Sequence, residues 1–173
     1  MTALEHLARQ TADAYAWIDR LALDIPEERW NERPAGLETS VTWQVGHLVV
    51  SFYFHTILAI RGHDPAVAAA MPLREYGELF TRATPPGRAS AGTPADLKRH
   101  LARMQAASLQ SIGRLGPEEL DEPLPPGPIP HPTAATKGEA VLWNHKHTWW
   151  HAGQLAMVRR AVHERLTFDL PVA

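Results

Sequence analysis

Three observations predict an all-α protein built as a four-helix bundle in a single domain spanning residues 1–173. Four segments are amphipathic with helical period, the prolines fall between them, and no period-two run of β-branched residues competes. The fifteen prolines decide the segmentation, because they avoid the periodic stretches and collect in the connections. A chain of 173 residues is long enough to bury one sizeable core.

Residues 3–23 form the first predicted helix, with Leu4, Leu7, Ala14, Ile18 and Leu21 on one face and Thr11 as its polar member. Asp24-Ile25-Pro26 reads as a short helix start, with Asp24 or Ile25 outside it, giving one turn or two around Trp30 before Pro34 and Gly36. Ser40 is the expected N-cap of a second long helix over 41–61. Its apolar positions are Trp43, Leu48, Val50, Phe54, Leu58 and Ile60, and it carries His47 and His55. Arg61-Gly62 suits its C-terminal stop.

Residues 62–92 are the least regular. Short helices are expected at 66–70 and 73–80, interrupted by Pro72, and Pro85-Pro86-Gly87 opens a polar loop. Tyr76, Phe80 and Arg82 are candidates for a pocket mouth there. Thr93-Pro94-Ala95-Asp96 caps a third helix reaching about residue 115, with Leu97, Leu101, Met104, Ser108 or Leu109, and Ile112 facing inward. Six prolines between 121 and 135 make that stretch an extended crossover. Thr136 and Glu139 repeat the capping box, and the fourth helix is expected to reach about residue 165.

Composition narrows the function. A formal charge of -2 without a basic cluster gives no electrostatic case for nucleic acid or an anionic membrane. No run of about 18 wholly apolar residues marks a membrane span, and the N-terminus lacks the basic-then-apolar pattern of a secretory leader. Cysteine is absent, which removes disulfides, thiolate ligands and a cysteine nucleophile. A cytoplasmic location is the expectation. Any metal must be held by imidazole, carboxylate and water.

Ten histidines and six tryptophans are more than packing a helical core requires. His147 and His151 are four residues apart, which puts both imidazoles on one helix face within reach of a single ion. The same stripe includes Asn144, Gln154 or Leu155, and Val158. His145 sits about 200° round the helix from His147 and is excluded from it. His47, with Trp43, Val50 or Ser51, and Phe54, lies on a stripe of the second helix that a bundle can turn toward the fourth. The competing reading is three hydrogen-bonded core or boundary histidines with no metal.

Two other metal chemistries fit poorly. A zincin carries Glu after the first His of its pair, and Thr148 stands there. A di-iron bundle needs Glu-x-x-His elements, but Gln44 and Thr148 occupy the Glu positions. What fits is a mononuclear site of neutral imidazoles with an open position, suited to Zn2+ or Ni2+ and less to Fe2+. His6, His63, His100, His131 and His163 have no spacing argument and read as surface residues. Trp143, Trp149 and Trp150 read as packing, with one able to wall a pocket. Arg159-Arg160 complements the helix C-terminus and offers a partner for an acidic substrate.

Ser40-x-x-Trp43-x-x-Gly46-His47-Leu48 and His147-x-x-x-His151-x-Gly153-Gln154-Leu155, together with the segment order, resemble the DinB/YfiT-like superfamily. The resemblance implies an up-up-down-down style bundle with long crossover connections and a metal bound by His47, His147 and His151. It implies a packing role for Gly153, an ordering role for Gln154, and a homodimer. It also points to thiol-dependent S-transferase, maleylpyruvate isomerase or metal-dependent hydrolase activity.

The expected function is therefore a mononuclear metal-dependent enzyme. A Zn2+ or Ni2+ ion would activate a low-molecular-weight thiol or water for transfer to, or hydrolysis of, a small-molecule substrate. With no carboxylate base evident, the bound nucleophile itself or nearby His55 handles the proton. The alternative is a non-catalytic metal-binding helical module with a ligand-sensing or interaction role.

Overall fold

The structure, a computed structural model, describes residues 1–81, 92–127 and 129–167. Arg82 and the expected Pro85-Pro86-Gly87 loop lie outside the described residues. The helices are α1 (Ala3–Ala22), α2 (Val41–Arg61), α3 (Pro65–Ala69), α4 (Leu73–Leu79), α5 (Pro94–Gly113) and α6 (Lys137–Val162). Single 3-10 turns occupy Glu27–Arg29 and Pro117–Asp121. No strand occurs among the described residues, as the pattern predicts.

The predicted boundaries hold where a side chain caps them. Ser40 accepts from the Trp43 N–H, and the Thr93/Asp96 and Thr136/Glu139 boxes are both closed. Gly62 stops α2 at φ 87°, where only glycine is unstrained. The fourth helix ends at Val162, short of the expected 165, because the backbone at His163 is extended.

Chain direction follows from which ends pack together. Leu4, Ile60, Ile112, Leu115, Ala140 and Val141 form one cluster. It joins the start of α1, the end of α2, the end of α5 and the start of α6. The long helices therefore run up, down, down, up, which corrects the up-up-down-down order implied by family likeness. The physical reason is that the described part of the connection, residues 62–81, returns along α2 until Phe80 meets Gly46, and α5 starts near the 3-10 turn, where Lys98 pairs with Glu27 at 3.1 Å. The proline-rich stretch is a same-end connection, closed at its base by a Pro123–Thr136 bridge and by Lys137 contacting Glu119 and Glu122, each at 2.7 Å.

Helix α2 is the buried centre. By length and composition it could cross a membrane (mean hydropathy 1.3), but 61% of that window is buried inside the fold. Of the predicted apolar positions of α2, Leu48 and Ile60 are buried, whereas Trp43, Val50, Phe54 and Leu58 are only half-buried. The deep face is Val41, Val45, Leu48, Val49 and Phe52. A π-helical turn at Phe54–Leu58 widens this face, so that His55, Thr56 and Ile57 are all buried in succession.

Each long helix contributes one polar residue to a buried network. Tyr15 Oη lies 2.7 Å from Ser108 Oγ and accepts from Asn144 Nδ2 at 3.0 Å, while Thr56 Oγ1 lies 2.7 Å from Ser108 Oγ and gives its own proton to the Phe52 carbonyl at 2.6 Å. Ser108, rather than Leu109, is therefore the inward residue of α5. Burial pushes the Tyr15 phenol up, so it stays a neutral donor.

Arg159 is a structural clamp. Its guanidinium is buried, makes a two-pronged contact with Asp24, and donates to the Arg20 and Leu21 carbonyls at 3.4 Å. It thereby caps the end of α1. Arg159→Ala is expected to lower unfolding free energy by about 2 kcal/mol, since buried acceptors lose charged donors while Asp24 is resolvated. A chemical denaturation midpoint equal to wild type would contradict the clamp.

Candidate metal centre

The i,i+4 spacing on α6 and the α2 stripe converge as the sequence predicts. His47, His147 and His151 each offer a ligand atom, and these atoms lie within 4.8 Å of one another. Ring centroids are 4.6 Å apart for His47–His151, 4.5 Å for His147–His151 and 5.3 Å for His47–His147. Among the described residues no carboxylate or fourth histidine joins this group. His145 points elsewhere, stacking edge-on with Trp149.

Hydrogen bonds fix two of the three rings. His47 Nδ1 donates to the Phe80 carbonyl at 2.6 Å, and His151 Nδ1 donates to Gln44 Oε1 at 2.6 Å. Both acceptors lack a proton to give, so each imidazole is protonated on Nδ1 and bare on Nε2. Gln44 is held in turn by donating to Gln154 Oε1 at 2.7 Å and Thr39 Oγ1 at 2.9 Å. Outer partners that orient ligand imidazoles in this way are a regular part of metal sites.

The donor set fits a cation. The bare Nε2 of His151 lies 3.0 Å from His147 Nε2. Two lone pairs at that distance repel unless a proton or a cation sits between them. When His147 supplies the proton, its buried Nδ1 becomes an acceptor with no partner.

All three imidazoles are neutral at pH 7, as ligands must be. His151 is pushed down to about 2 by burial and then by the His47 and His147 rings, and His147 to about 4 by burial and then His47. His47 is also lowered by burial, with the Phe80 carbonyl opposing. These native values lie below that of an unfolded histidine, so the unfolded chain takes up protons first. The metal-free protein should keep its full stability above pH about 6.5 and lose it as pH falls toward 4. A thermal midpoint that stays flat across that window would contradict the buried neutral triad.

Aromatic rings wall the centre. Trp43 stacks on His47 at 4.8 Å, Trp143 on His147 at 6.1 Å, and Trp150 lies edge-on to His147 at 6.3 Å. Trp149 instead turns to Trp17 at 6.2 Å.

Three assignments change. Gly153 makes no close contact; a Cβ there would meet nothing within 4 Å. Of the two motif glycines, Gly46 is the close-packed one, where a Cβ would sit 2.3 Å from the Phe80 ring. Tyr76 and Phe80 are buried core residues and not a pocket mouth. His100 is also buried, bonded to Tyr76 Oη at 2.8 Å, and His131 joins His55 at 2.9 Å, so neither is a free surface residue. Ser51, one turn after His47, approaches its Nε2 at 3.1 Å.

This combination defines a helical bundle with a three-histidine centre between its second and last long helices. A family model for the DinB superfamily matches residues 4–155, and the chain belongs to that superfamily, whose members are often metal-associated. The crystal structure of a conserved protein from Enterococcus faecalis superposes with a TM-score of 0.58 at 16% identity. The match covers 94% of this chain and 98% of that one, so it shares the fold. No curated protein matches the chain.

Proposed function

We propose that His47, His147 and His151 hold one divalent metal ion, Zn2+ or Ni2+ before Fe2+, and that the protein is a mononuclear metal-dependent enzyme. One observation carries this reading. Three imidazoles converge with no fourth protein ligand among the described residues. Structural zinc sites are normally closed by four protein ligands, whereas catalytic ones keep a position open. Such an ion supplies Lewis acidity and makes a thiol or water a competent nucleophile near neutral pH. The chain's own groups hold and orient the ion: the Phe80 carbonyl aims His47, and the Gln44–Gln154 pair aims His151.

The substrate in this reading is a small molecule, with a low-molecular-weight thiol or water as the attacking partner, in transfer or hydrolysis respectively. A homodimer and a cytoplasmic location belong to the same proposal. The non-catalytic reading, a sensing or interaction module, requires the open position to be closed by a further protein ligand.

Elemental analysis of untagged protein purified without added metal is the first test. About one equivalent of metal is expected in wild type and a marked loss in His47→Ala; negligible metal in both would remove the site. With metal loaded, consumption of glutathione, mycothiol or bacillithiol with an electrophile supports the transferase branch. Inactivity across that panel would leave hydrolysis as the surviving chemistry.

A further inference from the structure

His55 and His131 extend the imidazole cluster beyond the triad, and their hydrogen bonds have a defined direction. His131, on the proline-rich connection, has its Nδ1 facing two backbone donors, the N–H of Ala134 at 2.9 Å and of Thr133 at 3.3 Å. That nitrogen is therefore bare, and in the neutral ring the proton sits on Nε2. His131 Nε2 lies 2.9 Å from His55 Nδ1, so His131 donates and His55 Nδ1 accepts. The His55 proton is consequently on Nε2. Stacking of His131 on Phe54, with ring planes 6° apart, holds this arrangement in place.

His55 stands between His131 and His147, its ring 4.9 Å from the first and 5.4 Å from the second. The residue is only 6% exposed, and its Nε2 makes no hydrogen bond among the described residues while keeping some access to solvent. The two ring nitrogens diverge, so an Nδ1 turned to His131 leaves Nε2 on the side of the triad. An N–H that keeps access to the site and has no protein acceptor is free to donate to a ligand held there.

We propose that His131 locks His55 as an Nε2–H donor facing the three-histidine centre, where it recognises a small anion bound there. The role rests on the metal reading, but the lock itself does not. It also argues against His55 as a fourth ligand. Coordination through Nε2 would put the His55 proton on Nδ1, turn His131 Nε2 into the acceptor, and set a His131 Nδ1–H against the Thr133 and Ala134 N–H groups. His55 is thus a binding residue for the incoming ligand, and His131 a positioning residue behind it.

Two measurements decide the matter. Long-range 1H–15N correlation spectra of the metal-free protein above pH 7 should show both His55 and His131 protonated on Nε2; a His55 protonated on Nδ1 overturns the lock. Separately, azide is titrated into Co2+-loaded protein and followed by visible absorption. His55→Phe should bind cobalt as wild type does yet hold azide about tenfold more weakly, with His55→Gln, which keeps an N–H, recovering most of the affinity. Unchanged azide affinity in His55→Phe reduces the residue to packing and overturns the proposal. Loss of cobalt in His55→Phe makes it a ligand and overturns it too. Wild-type protein that takes up no cobalt overturns the metal reading and the anion role together, while the spectra still report whether the lock exists.

Discussion

His151→Ala is expected to weaken Zn2+ or Ni2+ binding by at least about 100-fold, as read by competition with a coloured chelator. Four-ligand structural zinc sites bind with about 10–16 kcal/mol, so one imidazole is worth roughly 3 kcal/mol, or about two decades in affinity. The loss reaches further than one bond. Gln44 Oε1 surrenders the donor it holds at 2.6 Å, and the Gln44–Gln154 pair no longer has an imidazole to orient. His145→Ala is the matched control. It lies on the same helix, two residues from His147, and contacts Trp149 rather than the triad, so its affinity should equal that of wild type. Equal affinities for His151→Ala and wild type would contradict the role given to His151.

The second large effect is expected at a glycine. Gly46→Ala drives a methyl group to within 2.3 Å of the Phe80 ring, which is fully buried and has no free direction in which to retreat. Overpacking of this kind typically destabilises by about 1–3 kcal/mol. Phe80 also presents the carbonyl that fixes His47 at 2.6 Å, so a displaced Phe80 loosens a ligand as well as the core. Gly46→Ala should therefore lower both the thermal midpoint and metal affinity. Gly153→Ala should do neither. Its methyl group meets nothing within 4 Å, and alanine in a helix interior is favoured over glycine by about 1 kcal/mol. If Gly153→Ala proved the more damaging of the two, the packing assignment would be reversed.

The contrast shows what the sequence can carry. Caps at Ser40, Thr93 and Thr136 were legible because a cap is local chemistry between residues three apart. The pairing of His147 with His151 was legible for the same reason, and His47 followed from the stripe it shares with Trp43. Partners supplied by distant backbone were not. The Phe80 carbonyl leaves no side-chain signature, and His131 sits in a connection with no periodicity to interpret. Gln44 was visible only as a missing Glu in a di-iron motif, although its amide is what aims His151. The true deep face of α2 was masked because the helix is apolar nearly all round, and the π-helical turn at Phe54–Leu58 shifts its register part-way along. Chain direction was likewise beyond a periodic pattern, since it depends on how residues 62–81 return along α2.

The most direct test is the anomalous diffraction of crystals grown with one equivalent of Zn2+ or Ni2+. A single peak is expected among His47, His147 and His151, about 2.0–2.1 Å from one nitrogen of each ring. The same map should show a further position filled by solvent or a small anion and not by a protein side chain. No peak at saturating metal, or a peak held by other residues, would contradict the three-histidine centre.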